Sequence, residues 1–438
     1  MTAPRKEAVM KPVLAALAAL LVSACASLGP APRTLDAEAE RFVKLTLEIG
    51  ALEPGYVDAY HGPKDWAEAV KGKARPAAVV AAEVEALKAA LDAIPAARLD
   101  ADQTRRRAFL SAHLRAASYR LGMIQGRRGG FAEEAEALFG VRPVIVPLER
   151  FDPVLRELEA LVPGEGALSD RIAAFRARYE VPDDRLDAVM RAAIAECRRR
   201  TLAHIALPAQ ERFTLSFVKD KPWAGYNWYQ GDAKSLIEVN TDLPVRIDRA
   251  IDLGCHEGYP GHHVHNTLLE ARLAKARGWV EFSIFPLFAP IAFVAEGTAN
   301  AGIGLAFTPE EQLAFEQQTL YPLAGLDPAT APALDRLNEA TRKLSGASYA
   351  IADAYLAGRI DRAEAIALTR KYNVTSAARA EQSLRFLDAY RSYIINYGLG
   401  QDMAEAYLKR ASADPAARWA AMERALSTPF LPADFAAP

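Results

Sequence analysis

Four of the seven histidines fall within ten residues, in Cys255-His256-Glu257-Gly258-Tyr259-Pro260-Gly261-His262-His263-Val264-His265. Two imidazoles on one helical face with a Glu beside the first are the parts of a metal-hydrolase site. The rings bind the ion and the carboxylate activates a water. The common spacing for such a pair is four residues, about 40° around a helix. His256 and His262 are six apart, which on an unbroken helix aims them about 240° apart. Pro260 removes a backbone N–H and clashes with the preceding turn. Gly261 can take backbone angles closed to other residues. The break can therefore loop the chain out and bring His262 back beside His256. His263 is nearly in phase with His256 but about 10 Å further along the axis, and is the runner-up ligand.

A third ligand is expected from another helix. Glu296 lies in Phe293-Val294-Ala295-Glu296-Gly297-Thr298-Ala299-Asn300, with no other charge between Leu287 and Phe307. A carboxylate in such a stretch is costly unless it is paired or coordinating. Asn300 is one turn on, on the same face, and can fix the ring of a ligand His. The predicted cofactor is one zinc ion per chain, with Glu257 as general base.

These residues, His-Glu-Gly-Tyr-Pro-Gly-His-His followed by Ala-Glu-Gly-Thr-Ala-Asn and by Tyr397-Gly398-Leu399-Gly400-Gln401, resemble the bacterial family catalogued as domain of unknown function 885. The resemblance covers most of the chain from about residue 35. It implies a helical gluzincin-type metallopeptidase fold similar to carboxypeptidase Taq and thimet oligopeptidase. It also implies His256, His262 and Glu296 as zinc ligands and Glu257 as general base. Thr298 stands where that pattern commonly has Trp, and His265 where it commonly has Gln. The expected oxyanion donor is Tyr397, beside a Gly-rich break, with Tyr393 and Arg391 as alternatives.

The elements that must position these groups are mostly helical. Apolar residues recur at three- and four-residue spacing over Pro76–Ile94, Asp100–Ile124 and Asp183–Ile205. Near Gln210 the texture changes. Arg212–Lys219 alternates, Trp223–Gln230 is aromatic, and Ser235–Asn240 is short and β-branched. These read as a small antiparallel sheet, with Ser235–Asn240 as an edge strand that could pair with a peptide backbone. The expected fold is mainly α with that sheet beside the active-site helix. The expected division is a helical N-terminal region over 35–205 and a zinc-binding catalytic region over 206–438.

Arg5, Lys6 and Lys11 precede the apolar run Pro12–Val22, which is shorter than the roughly 20 residues that span a bilayer. Residues 1–24 read as a secretory signal. Its end, Val22-Ser23-Ala24-Cys25, resembles a lipobox, with Cys25 as the lipidated residue and 25–34 as a tether. Ala26 after the Cys resembles an outer-membrane sorting context, so the expected place is the cell envelope, facing the periplasm. Cys197 and Cys255 show no evident disulfide role in the sequence, and Cys255 reads as a small packed residue.

Across the chain's 438 residues, 53 Lys+Arg balance 55 Asp+Glu, which excludes the basic surplus of a dedicated nucleic-acid binder. The expected partners are a peptide or peptide-like substrate and a membrane reached through the lipid. The competing expectations are a zinc hydrolase of another amide or ester, and a non-catalytic lipoprotein that binds peptides on the same frame.

Overall fold

The computed structural model describes residues 1–2 and 34–436. The signal run and Cys25 lie outside them. The chain is mainly helical. Helices Ala77–Asp92, Ala101–Ile124 and Asp183–Leu202 occupy the three stretches of helical periodicity. Asp100 starts the second with a capping box: its carboxylate accepts from Gln103 N, and Gln103 Oε1 accepts from Asp100 N. That arrangement satisfies two N–H groups no helix can pair internally.

Among the described residues, five strands form two small sheets. β1 (Val57–Tyr60) pairs antiparallel with β5 (Ile284–Pro286), so a strand from the N-terminal helices joins the wall of the later half. β2 (Arg212–Val218), β3 (Gly225–Gly231) and β4 (Lys234–Asn240) form the second sheet in the order β2-β4-β3. β3 and β4 are joined by a two-residue turn in which Asp232 and Ala233 both have φ of 55°, the twist a tight hairpin needs. β2 lies parallel to β4.

Two expectations are corrected here. The sheet is mixed, not purely antiparallel, because β2 runs parallel to β4 on the side away from β3. Ser235–Asn240 is the central strand, not an edge; both of its sides are paired within the sheet.

The helix Pro290–Ala306 runs through the core, apolar almost all round and almost wholly buried. Its main neighbour is the helix Ile395–Ala411. The two backbones nearly touch: a methyl group on Gly297 would lie 2.5 Å from Gly400 O. Glycine at both positions therefore sets how closely the helix carrying Glu296 approaches the one carrying Tyr397. Among the described residues, no single helix is long and apolar enough to cross a membrane.

Candidate metal centre

The histidine segment is wound in three pieces. The helix Asp248–Leu253 widens into a π-helical turn at Gly254–Gly258, which carries His256 and Glu257. Tyr259-Pro260 follows with a cis peptide bond. The helix His262–Leu268 then begins. Gly261 closes the loop against the turn it left: a Cβ there would lie 1.8 Å from His256 O. No other residue fits that approach. The His256 and His262 rings end 4.7 Å apart and almost perpendicular, at 85°.

Three ligand-type atoms converge. His256 Nε2 and His262 Nε2 are 3.1 Å apart, and Glu296 Oε2 lies 3.0 Å from the first and 3.5 Å from the second. A tetrahedral ion with bonds of 2.0–2.1 Å separates its ligands by about 3.3 Å, so the spacing fits. The protonation pattern fits too. Asn300 Nδ2 donates to Tyr397 O (3.1 Å), which turns Asn300 Oδ1 toward His256 Nδ1 at 2.8 Å. His256 Nδ1 therefore carries a proton, and Nε2 is turned toward Glu296 and His262. Glu296 Oε1 accepts from the Tyr393 hydroxyl (2.7 Å), while Oε2 is buried without a hydrogen-bond donor. A buried carboxylate oxygen with no hydrogen-bond donor, 3.0–3.5 Å from two imidazole nitrogens, calls for a cation.

The electrostatics agree. Burial alone would depress the His256 imidazole, but its contact with Glu296 outweighs that and raises it to about 9. The same two rings hold the Glu296 carboxyl well below the usual range despite its burial. The cluster attracts positive charge, as a proton or as a metal ion.

Glu257 stands next to this group. One of its carboxylate oxygens is within 4.8 Å of the ligand nitrogens of both His256 and His262. Two carboxylates thus flank the pair, with Glu296 at 3.0–3.5 Å from the two nitrogens and Glu257 within 4.8 Å of them. Burial raises the Glu257 carboxyl, while the two histidines pull it back.

His263 faces away from this group. Its Nε2 donates to Glu211 Oε1 (3.1 Å) and its Nδ1 accepts from Ser235 Oγ (2.8 Å). Glu211 also takes bonds from the Tyr259 hydroxyl and from Arg198 at 2.8 Å. Both nitrogens are spent on other partners, Ser235 on β4 and Glu211 just before β2, so His263 does not replace His262. His265 is buried, with Nδ1 unpartnered.

Tyr397 lies beside the cluster, its ring 6.2 Å from that of His256 and nearly parallel to it. The cleft it lines has a volume of about 1090 Å³ and opens onto His256, Glu257, His262 and Glu296. Tyr393 has its proton committed to Glu296. Arg391 is ion-paired to Glu134 at 2.8 Å.

Three features had no signal in the sequence reading. Cys197 and Cys255 form a disulfide with Cα atoms 5.4 Å apart, which corrects the reading of them as unpaired. The bond ties the helix Asp183–Leu202 to the π-helical turn, and the two elements are in direct contact. Asp58 and Tyr226 also line the cleft; no spacing in the chain relates them to the histidines.

No protein-family model matches this chain, and no curated protein matches it. Among solved structures it is similar to the "putative lipoprotein" from Colwellia psychrerythraea, with 16% identity, 83% of this chain and 69% of that one covered, and a TM-score of 0.48. It is also similar to M32 carboxypeptidase from Deinococcus radiodurans R1, with 15% identity, 89% and 88% covered, and a TM-score of 0.46.

Proposed function

We propose that the chain is a zinc-dependent peptidase of the cell envelope, a member of the family its motifs resemble. One observation carries the reading: His256 Nε2, His262 Nε2 and the donorless Glu296 Oε2 stand 3.0–3.5 Å from one another with Glu257 alongside. Two imidazoles and a carboxylate at that spacing suit zinc. Zinc held there would supply Lewis-acid polarisation of a carbonyl and acidification of a water.

The chain's own residues do the rest. Glu257, its carboxyl raised by burial, takes a proton from the attacking water and passes it to the departing amine. Tyr397 donates to the developing oxyanion. Its ring lies 6.2 Å from that of His256, whereas the Tyr393 and Tyr226 hydroxyls already donate to Glu296 and Asp58. β3, not β4, supplies the edge for a peptide backbone. Ala224 O accepts from Asn240 N, so by antiparallel alternation the amide groups of Gly225 and Asn227 point away from β4. Both residues line the cleft. A methyl group on Gly225 would lie 2.8 Å from Glu257 Oε1, which puts this edge directly beside the general base.

The envelope reading rests on the lipobox-like sequence ending at Cys25. The buried disulfide also suits an oxidising compartment. A peptide-library digest with and without chelator tests the activity. Chelator-sensitive cleavage that Glu257→Gln abolishes is expected; cleavage indifferent to both would overturn the proposal. Radiolabelled palmitate should enter the chain only when Cys25 is present.

A further inference from the structure

Asp58 is the one carboxylate in the cleft contributed by the N-terminal helical region, presented on β1 where that strand pairs with β5. Its Oδ1 accepts from the Tyr226 hydroxyl on β3. Burial raises the Asp58 carboxyl to about 6, and the groups that bear on it most are Tyr226, His262, Glu296 and Glu257. None of these is a Lys or an Arg. A carboxylate kept in a cleft without a cation of its own is costly.

Counting charge sharpens the point. Asp58, Glu257 and Glu296 are three carboxylates, and a divalent ion offsets two of them. Asp58 has no ion pair with a Lys or Arg among the described residues: Arg246 and Arg249, which line the same cleft, are paired to Asp248 and Asp252. The cleft offers a cation aromatic faces as well. Tyr390, Tyr393 and Tyr397 line it with successive ring centroids 5.9 Å apart, and such faces attract ammonium groups.

We propose that Asp58, held by Tyr226, is a specificity-determining residue that binds an ammonium group of the substrate next to the scissile bond. This rests on the zinc-peptidase reading and deepens it. The ammonium group has two sources, a free peptide N-terminus or a lysine-type side chain in a blocked peptide.

Calorimetric titration of the zinc-loaded, full-length protein distinguishes them. The probes are alanine hydroxamate, N-acetylalanine hydroxamate and Nα-acetyl-lysine hydroxamate, each anchored by its metal-binding group. One of the two amine-bearing probes should bind roughly tenfold tighter than N-acetylalanine hydroxamate, as a charged hydrogen bond predicts. Which one does so names the source. Asp58→Asn should bring that ratio near unity while leaving N-acetylalanine hydroxamate unchanged. If Asp58→Asn does not fold, Asp58→Glu, which displaces the charge by one methylene, should reduce the ratio. Equal binding of all three probes, or a preference untouched by these variants, would overturn the proposal and leave the peptidase reading standing. If no hydroxamate binds at all, the zinc reading falls and this inference with it.

Discussion

Asn300 Oδ1 accepts a 2.8 Å hydrogen bond from His256 Nδ1, and the same amide donates to the Tyr397 carbonyl at 3.1 Å. One side chain therefore fixes the tautomer of a ligand ring and ties it to the helix bearing the proposed oxyanion donor. Asn300→Ala should lower zinc affinity by about 10–100-fold, read by competition with a chromogenic chelator. Asn300→Asp, which keeps the acceptor, should recover most of it. Equal affinity in wild type and Asn300→Ala would show that His256 does not depend on this bond.

Glu257 and Glu296 separate by metal content. Glu296→Gln replaces a coordinating carboxylate with a neutral amide, and zinc content should fall well below one per chain. Glu257→Gln should keep the zinc and lose activity by a factor of roughly 10²–10⁴. Elemental analysis beside a peptide assay reads both. If Glu257→Gln lost the metal and Glu296→Gln kept it, the two roles would be exchanged.

Much of this centre was legible in the chain because its signal is local. Pro260-Gly261 breaks a helix at the point where six-residue spacing needs correcting, and an isolated Glu296 in an apolar helix announces its cost. What stayed hidden depends on contacts far apart in sequence. β2, β3 and β4 look alike as alternating segments, so nothing in their composition says that β4 is central; strand order is settled by what lies against each edge. Cys197 and Cys255 are 58 residues apart on two helical segments whose packing the sequence does not state. Asp58 reaches the cleft only because β1 pairs with β5, more than two hundred residues downstream.

Tyr393 and Tyr397 are one turn apart yet should behave differently. Tyr393 donates to Glu296 Oε1, so Tyr393→Phe should weaken zinc binding and reduce activity mainly through lost metal. Excess zinc should restore it. Tyr397→Phe should retain zinc and KM but lower kcat by about 10²–10³, with no recovery on adding metal. Steady-state kinetics across a zinc series separates the two patterns, and identical behaviour of the variants would remove Tyr397 from the chemistry.

The disulfide closes a loop whose ends are 58 residues apart. The chain-entropy account gives up to about 4 kcal/mol for a loop of that size. The double variant Cys197→Ala, Cys255→Ala should therefore unfold at a clearly lower urea concentration than wild type. Adding reductant should shift wild type toward the variant and leave the variant where it is. A midpoint indifferent to reductant in wild type would mean that the bond contributes nothing to stability.

His113 gives the N-terminal helices a pH dependence of their own. It lies buried against Phe109, with ring centroids 3.9 Å apart, and its Nδ1 donates to the Phe109 carbonyl at 2.8 Å. Nε2 has no partner. Burial pushes the imidazole down from 6.5 to about 4, so the folded chain resists a proton that the unfolded chain accepts. Between those values the unfolded state binds more protons, and stability must fall as the pH falls. The contribution is fully present above about pH 6.5 and lost by about pH 4, a difference of about 3 kcal/mol. His113→Gln keeps a donor for the carbonyl and removes the titration. Its urea midpoint should therefore fall less steeply than that of wild type from pH 6.5 to 4. Parallel slopes in the two proteins would place the acid sensitivity elsewhere.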